Sequence, residues 1–278
     1  MSNSKLFQLA SFSTGDRGGN PAGVWIGDEL PSADAMQQIA ANVGASETAF
    51  IAPAAGSRRT VRYYSPEVEV SFCGHATIAT GIILGREEGA GTYQLDTAIG
   101  EVEVAVRDQG GRTLASLRSV NTRQEAVEDA ILQEALDCLR WTREDLDGGL
   151  PPVKAYAGAW HLVLAVRDAA TLEQLDYDFN ALRALMEREG LTTLQLVWRE
   201  QDDLFHSRNP FPIGGIVEDP ATGAAAAALG GYLRDAGLVE TPFAFRILQG
   251  ETMGMPSQIS VDVPQAGGIV VSGYGRDL

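Results

Sequence analysis

Three short stretches of this 278-residue chain carry side chains that move protons or hold anions. Residues 71–84, SFCGHATIATGIIL, place His75 two positions after Cys73, at the entrance to a run of small and apolar residues. Residues 218–233, EDPATGAAAAALGGYL, set Asp219 ahead of a Gly223-Ala224 turn and an alanine-rich run. Residues 44–50, GASETAF, hold Glu47 just after a helix stop and just before a strand. The first N–H groups of a helix have no partner within it and carry partial positive charge. A glycine there lets a ligand approach the backbone, so Gly74-His75 and Gly223-Ala224 are candidate sites for a carboxylate or another small anion. A rigidly held carboxylate drawn partly out of water is a good proton shuttle, which makes Glu47 the candidate acid/base. If the two halves of the chain face each other, His75, Asp219 and Glu47 share one cleft.

Each of these residues also has an ordinary structural use. A histidine in an apolar run is commonly a satisfied core residue. Ser46-Glu47-Thr48 alone reads as a surface turn, and Asp219-Pro220 as a helix-entry signal. Cys73 alone reads as a small core residue and the alanine run as a good helix former. The functional reading gains weight because His75 and Asp219 stand at equivalent ends of the two halves in the alignment given below.

The elements that must position these groups follow from periodicity and punctuation. Lys5 to Phe12 reads as a strand, followed by a glycine-rich loop through Gly18-Gly19-Asn20-Pro21 and a short strand at 24–26. Met36, Ile39, Ala40 and Val43 fall at i, i+3, i+4 and i+7, which predicts a helix with Ser32 as N-cap and Gly44 as stop. Strands are expected at 48–51, 61–64, 68–72, 93–96 and 101–106, with a helix after FCGHAT to about Arg86. The polar stretch SVNTRQEAVED marks a domain boundary. Beyond it, helices are expected at about 125–139, 179–189 and 222–236, and strands at 162–166, 194–198, 259–263 and 269–272. Aligning Ala76-Thr77 with Ala221-Thr222 brings the two small-residue helices into coincidence. The fold expected is α+β: two similar domains, each a mostly antiparallel sheet wrapped around a central helix that small side chains allow to be buried all round.

Bulk composition narrows the partners. A formal charge of −16 argues against nucleic acid and anionic membranes. Apolar content of 45% and charged content of 21% suit a globular protein with a sizeable core. Two cysteines, Cys73 and Cys138, are too few for a disulfide framework, and the three histidines show no metal-ligand spacing, so no structural metal is expected. With no apolar run of membrane-spanning length and no signal-peptide pattern, a cytoplasmic protein is the expectation.

The residues also match a known pattern. The chain resembles the PhzF-like (phenazine biosynthesis-like) proteins, which share the diaminopimelate epimerase fold. The resemblance runs through Gly19-Asn20-Pro21-Ala22-Gly23-Val24, Met36-Gln37-Gln38-Ile39-Ala40, Ser46-Glu47-Thr48, Cys73-Gly74-His75-Ala76-Thr77, Glu218-Asp219-Pro220-Ala221-Thr222-Gly223 and Pro256-Ser257. It implies two pseudo-symmetric domains, 1–118 and 119–266, with a terminal strand at 267–278 crossing back to the first and the site in the cleft between them. It implies a homodimer and no cofactor. In the family's phenazine enzyme a glutamate at the Glu47 position moves a proton within dihydro-hydroxyanthranilate. By the same match His75, Asp219 and Asn20 contact the substrate, and backbone at Gly74, Gly223 and Ala224 holds its carboxylate. The chain departs from the pattern at Ala224, often serine, and at Met255, often arginine.

These readings together imply a cofactor-independent isomerase acting on a small carboxylate-bearing metabolite. An amino-acid or hydroxy-acid epimerase is the first alternative. It is disfavoured in its two-thiol form, because Thr222 stands where a second cysteine would be needed. A catalytically inactive metabolite- or protein-binding relative is the second.

Overall fold

In the computed structural model, which describes residues 4–278, the chain divides into two units. One comprises the residues up to Arg118 together with Ser272–Leu278, the other Ser119–Val271. In the first unit β1 (Lys5–Ser11) pairs antiparallel with β2 (Asn20–Ile26). Helix α1 (Ala33–Val43) carries the chain to β3 (Glu47–Pro53), which lies parallel to β2. β4 (Arg58–Tyr64) returns antiparallel to β3, and its end pairs with the short β5 (Glu69–Val70). Helix α2 (Gly74–Glu87) then crosses to β6 (Gly91–Thr97), parallel to β4, and β7 (Gly100–Gln109) and β8 (Arg112–Arg118) follow as antiparallel neighbours. The last strand of the chain, Val270–Asp277, pairs with both β8 and β1. Eight of the described strands thereby close into a ring, which removes open edges, and α2 packs against β1, β2, β3, β7 and β8.

The local causes are visible in the residues. Ser32 caps α1 by accepting from the Ala35 N–H at 3.3 Å, and Gly44, at φ 69°, donates its N–H to the Ala40 carbonyl. The helix lays Met36 and Ala40 against Trp25, Phe50 and Tyr64. Every residue of α2 from His75 to Leu84 is buried, which a charge-free stretch of small and aliphatic side chains permits. Close approach also fixes glycines: a Cβ at Gly85 would lie 2.4 Å from Val106 Cγ1.

In the second unit β9 (Arg123–Ala126) pairs with β10 (Val153–Tyr156), and β10 with β11 (Trp160–Val166), both antiparallel. Helix α3 (Asp129–Leu139) falls between β9 and β10 in the chain. Helices α4 (Ala169–Glu173) and α5 (Phe179–Glu189) lead to β12 (Thr193–Gln201), parallel to β11. β13 (Leu204–Pro210) runs back beside it and carries the two-residue β14 (Glu218–Asp219). Helix α6 (Gly223–Asp235) crosses to β15 (Phe243–Gln249), parallel to β13, and β16 (Ser257–Val263) pairs with β15. The C-terminal strand already described is β17. α3 and α5 bury Leu136, Leu139, Leu182, Leu185 and Met186 in a cluster with Leu164 and Leu196 of the sheet. α6 is buried from Ala225 to Leu233.

The second unit follows the connection order of the first. Its parallel pairs β11–β12 and β13–β15 answer to β2–β3 and β4–β6. Gly190 caps α5 in the left-handed region as Gly44 caps α1, and the third residue after each glycine opens a strand: Thr193 in one unit, Glu47 in the other.

Several sequence readings shift. Residues 125–126 are strand rather than the beginning of a helix, because 123–126 satisfy their backbone on β10. Asn20 and Pro21 belong to β2 rather than to the preceding loop, 68–72 contracts to β5, and 269–272 extends to Asp277. The helix alignment also moves by four residues. Cys73 and Thr222 are the two N-cap residues, so Gly74 answers to Gly223, His75 to Ala224, and Asp219 to Val70. His75 lies within the first helical turn, whereas Asp219 lies in β14 ahead of the cap, so the two do not occupy equivalent positions. No described helix is long and apolar enough to cross a membrane.

Candidate active site

In the first unit the fold brings Glu47, Cys73 and His75 together. Glu47 opens β3, and its position is set by the αL turn at Gly44 that ends α1. Cys73 and His75 flank Gly74 at the entrance to α2. The Cys73 thiol donates to Glu47 Oε2 at 3.5 Å and lies 3.3 Å from His75 Nδ1. His75 Nε2 is 3.4 Å from Glu47 Oε2 and 3.2 Å from Ser46 Oγ. A neutral imidazole donates at one nitrogen and accepts at the other, so either tautomer links a group on each side of the ring. The Glu47 side chain keeps 21% of its surface exposed and that of His75 only 10%. The carboxylate thus has access to a ligand while the imidazole is held by its surroundings.

Surrounding hydroxyls fix the backbone of this entrance. Ser11 Oγ donates to the His75 carbonyl at 2.8 Å, and Ser11 pairs in the sheet with Asn20, which is buried. Asn20 is therefore the cross-strand neighbour of the residue that holds the His75 carbonyl. Thr77 Oγ1 donates to the Cys73 carbonyl and is 2.7 Å from the Tyr63 hydroxyl, whose ionisation burial pushes far above the ordinary tyrosine range. Neither Cys73 nor Thr222 makes a side-chain cap bond. The first-turn N–H groups of α2 and α6 are therefore not taken up by their own cap side chains. A Cβ at Gly74 would meet nothing within 4 Å, so space lies over that glycine.

In the second unit the corresponding entrance is braced differently. Thr222 Oγ1 donates to Asp219 Oδ2 at 2.6 Å. The buried Gln249 accepts from the Thr222 N–H and donates to the Asp219 carbonyl at 2.7 Å, tying the turn to the end of β15. Gly223 is buried and Ala224 half-buried at the start of α6. Asp219, Gly223 and Ala224 are thus gathered at one helix entrance, as Glu47, Gly74 and His75 are at the other. Ser46, Ser11, Tyr63 and Gln249 were not singled out by sequence as site contacts. Ser46 adjoins Glu47 in the chain and is the one that local reading offers; the others reach the site only through strand pairing. A groove of about 420 Å³ in the second unit, lined by Trp198, His206, Arg208 and Glu251, contains none of the expected site residues.

Comparison with known proteins gives these geometries a family. A protein of Deinococcus radiodurans named an uncharacterized isomerase is 33% identical over 270 residues, covering 94% of this chain and 87% of that protein. The trans-2,3-dihydro-3-hydroxyanthranilate isomerase of Pseudomonas aeruginosa is 29% identical over 275 residues, covering 96% and 94%. Among solved structures, the Bacillus anthracis phenazine biosynthesis protein of the PhzF family superposes with a TM-score of 0.86 at 21% identity, covering 100% of this chain and 97% of that one. At that identity the likeness speaks for the mixed α/β fold alone. The model of the family described as phenazine biosynthesis-like protein matches residues 9–273. With nearly its whole length matched, the chain belongs to the phenazine biosynthesis-like (PhzF) protein family.

Proposed function

We propose that the protein is a cofactor-independent isomerase that moves a proton within a small carboxylate-bearing metabolite, with Glu47 as the single acid/base. The observation that carries this reading is the asymmetry of the two helix entrances. Glu47, Cys73 and His75 offer ligand atoms within 4.8 Å of one another. The positions answering to them in the second unit are Thr193, Thr222 and Ala224. A two-base racemase needs an acid/base at each face of the reacting carbon, whereas a shift in which one group returns the proton it took needs one. Glu47 takes a proton from one carbon and delivers it to another, leaving the atom count of the substrate unchanged. His75 orients the substrate and offsets charge that develops on it, with Asn20 beside it. Backbone N–H groups at Gly74, at the entrance to α2, take the carboxylate. The resemblance brings with it a pseudo-symmetric homodimer, and composition a cytoplasmic location, which sedimentation and fractionation would test.

The test begins with trans-2,3-dihydro-3-hydroxyanthranilate, the substrate in the name of the Pseudomonas aeruginosa relative, and related unsaturated acids, incubated in heavy water. A displaced double bond is the expected result, with deuterium entering to the extent that the part-exposed Glu47 exchanges its proton with solvent before returning it. Deuterium entering with loss of chirality alone would move the protein to the epimerases, a reading that the closeness of Cys73 to Glu47 would then explain. Glu47→Gln is expected to lower kcat by roughly 10²–10⁴-fold, and full turnover by that variant would remove Glu47 from the role.

A further inference from the structure

We propose that Thr77, backed by Tyr63, is a positioning residue of this site: a relay of two buried hydroxyls sets the Cys73–Gly74 peptide and so aims the Gly74 N–H at the substrate's carboxylate. Thr77 Oγ1 donates to the Cys73 carbonyl at 2.7 Å and lies 2.7 Å from the Tyr63 hydroxyl. A hydroxyl has one proton to give, and that of Thr77 is spent on the carbonyl. The Tyr63 hydroxyl is therefore the donor at the other contact, and the relay runs one way, from Tyr63 through Thr77 to the peptide. Tyr63 and Thr77 are 1% and 0% exposed, so water does not compete for either bond. Burial also keeps Tyr63 in its neutral, donating form. Its ring is seated edge-on against Phe72, with 5.8 Å between centroids.

The peptide plane carries the effect to the ligand. In a planar trans peptide the carbonyl and the following N–H point in opposite directions. Holding the Cys73 carbonyl on the buried hydroxyls therefore turns the Gly74 N–H away from them, at a residue whose Cβ position is open. Hydrogen bonds in series polarise one another, so the same relay makes that N–H a stronger donor. A threonine bonding the carbonyl four residues back is common in helices; what is particular here is the tyrosine behind it. The second unit supplies the contrast. With Cys73 answering to Thr222, Thr77 answers to Ala226, and the strand pairings with Val70 and Asp219 make Tyr63 answer to Asn209. Ala226 has no hydroxyl, and the Asn209 amide donates to Thr193 and Gln195. The fold builds this helix entrance without the relay in one unit and adds it in the unit that holds Glu47. The substrate role rests on the carboxylate binding proposed above; the aiming of the N–H does not.

Thr77→Val keeps the shape of the side chain and removes the hydroxyl, whereas Thr77→Ser keeps the hydroxyl. With trans-2,3-dihydro-3-hydroxyanthranilate as the probe, Thr77→Val is expected to raise KM roughly 10–100-fold with a smaller change in kcat, because the carboxylate is held alike before and during the proton shift. Thr77→Ser is expected to regain most of that loss. Thr77→Val also leaves the Tyr63 hydroxyl buried and unpaired, which lowers stability. The double variant Tyr63→Phe/Thr77→Val removes that hydroxyl too, so its urea midpoint is expected to recover while KM stays high. Recovery of both together would overturn the proposal, since the hydroxyls would then serve the fold alone. A second readout needs no turnover. The Gly74 amide proton is expected to resonate upfield in Thr77→Val and in the double variant, and near its original position in Thr77→Ser. An unmoved Gly74 resonance would overturn the proposal whatever the reaction. A moved resonance in a protein that does not turn over the probe would support the aiming of the N–H and count against the isomerase reading alone.

Discussion

At the residue scale, two histidines show how position decides chemistry. His75 sits among a thiol, a hydroxyl and a carboxylate at a helix entrance. His161 is fully buried with Nδ1 2.8 Å from Thr193 Oγ1, and burial lowers its pKa from 6.5 to about 3. It is therefore neutral in the folded protein at pH values where the unfolded chain takes up a proton. Because the unfolded state binds more protons, stability rises with pH across this window and is lost as pH falls from about 6.5 towards 3. Lowering the pH from 7 to 5 is expected to cost on the order of 2 kcal/mol through this residue. Urea midpoints measured across that range should fall more steeply for the unaltered protein than for His161→Gln. Equal slopes would mean that the ring is not buried neutral. Nothing in the local sequence distinguishes these two histidines by environment. The neighbours that matter, Glu47 for one and Thr193 for the other, arrive from strands paired or packed at a distance in the chain.

At the element scale, the two buried helices are the parts that the sequence announces most clearly. Gly74 to Gly85 contains no charged residue, and the alanine run of α6 has no need of a polar face. What the composition does not announce is which glycines are obligatory. A Cβ at Gly85 would lie 2.4 Å from Val106 Cγ1 and 2.8 Å from Thr113 Cγ2, both on strands that α2 packs against. Gly85→Ala would gain up to about 1 kcal/mol in helix propensity, but overpacking of this kind costs about 1–3 kcal/mol. The expected outcome is net destabilisation, read as a lower urea midpoint with unchanged m-value. A midpoint that rises would show that the strands yield to the methyl group. The amphipathic helices were read closely, because Ser32 and Gly44 bracket α1 and Gly190 stops α5 through local capping geometry. Residues 125–126 were misread as helix because the pairing of 123–126 with β10 outweighs a weak local preference.

At the scale of the whole molecule, chain ends and total charge make separate predictions. β17 pairs with β1 through Leu9–Ser11 and also with β8, so the last residues complete the ring that surrounds α2. Deleting residues 272–278 exposes two strand edges in the unit that carries Glu47 and His75. Hydrogen exchange should show loss of protection in β1, β8 and α2, whereas retained protection would mean that the ring holds without its closing strand. The formal charge of −16 repels a carboxylate approaching from solvent. Screening shortens the reach of that field from roughly 30 Å at 0.01 M salt to about 8 Å at 0.15 M. kcat/KM for an anionic substrate is therefore expected to rise with salt over this interval. A fall would show that the local field of the site, rather than the net charge, governs approach.

By itself the sequence determined the local pieces: helix caps and stops, strands that alternate, two charge-free helices each opened by a glycine, and the residue types able to do chemistry. These depend on neighbours within a few positions, so periodicity and turn chemistry expose them. Only the tertiary structure decided which pieces meet. It set Glu47 against Cys73 and His75 across 26 and 28 residues of chain, moved the helix correspondence to Cys73 and Thr222, and placed Gln249 behind Asp219. Such contacts come from strand register and from the burial of a central helix. Both are non-local, and a stretch read alone carries no record of the strand that will lie beside it.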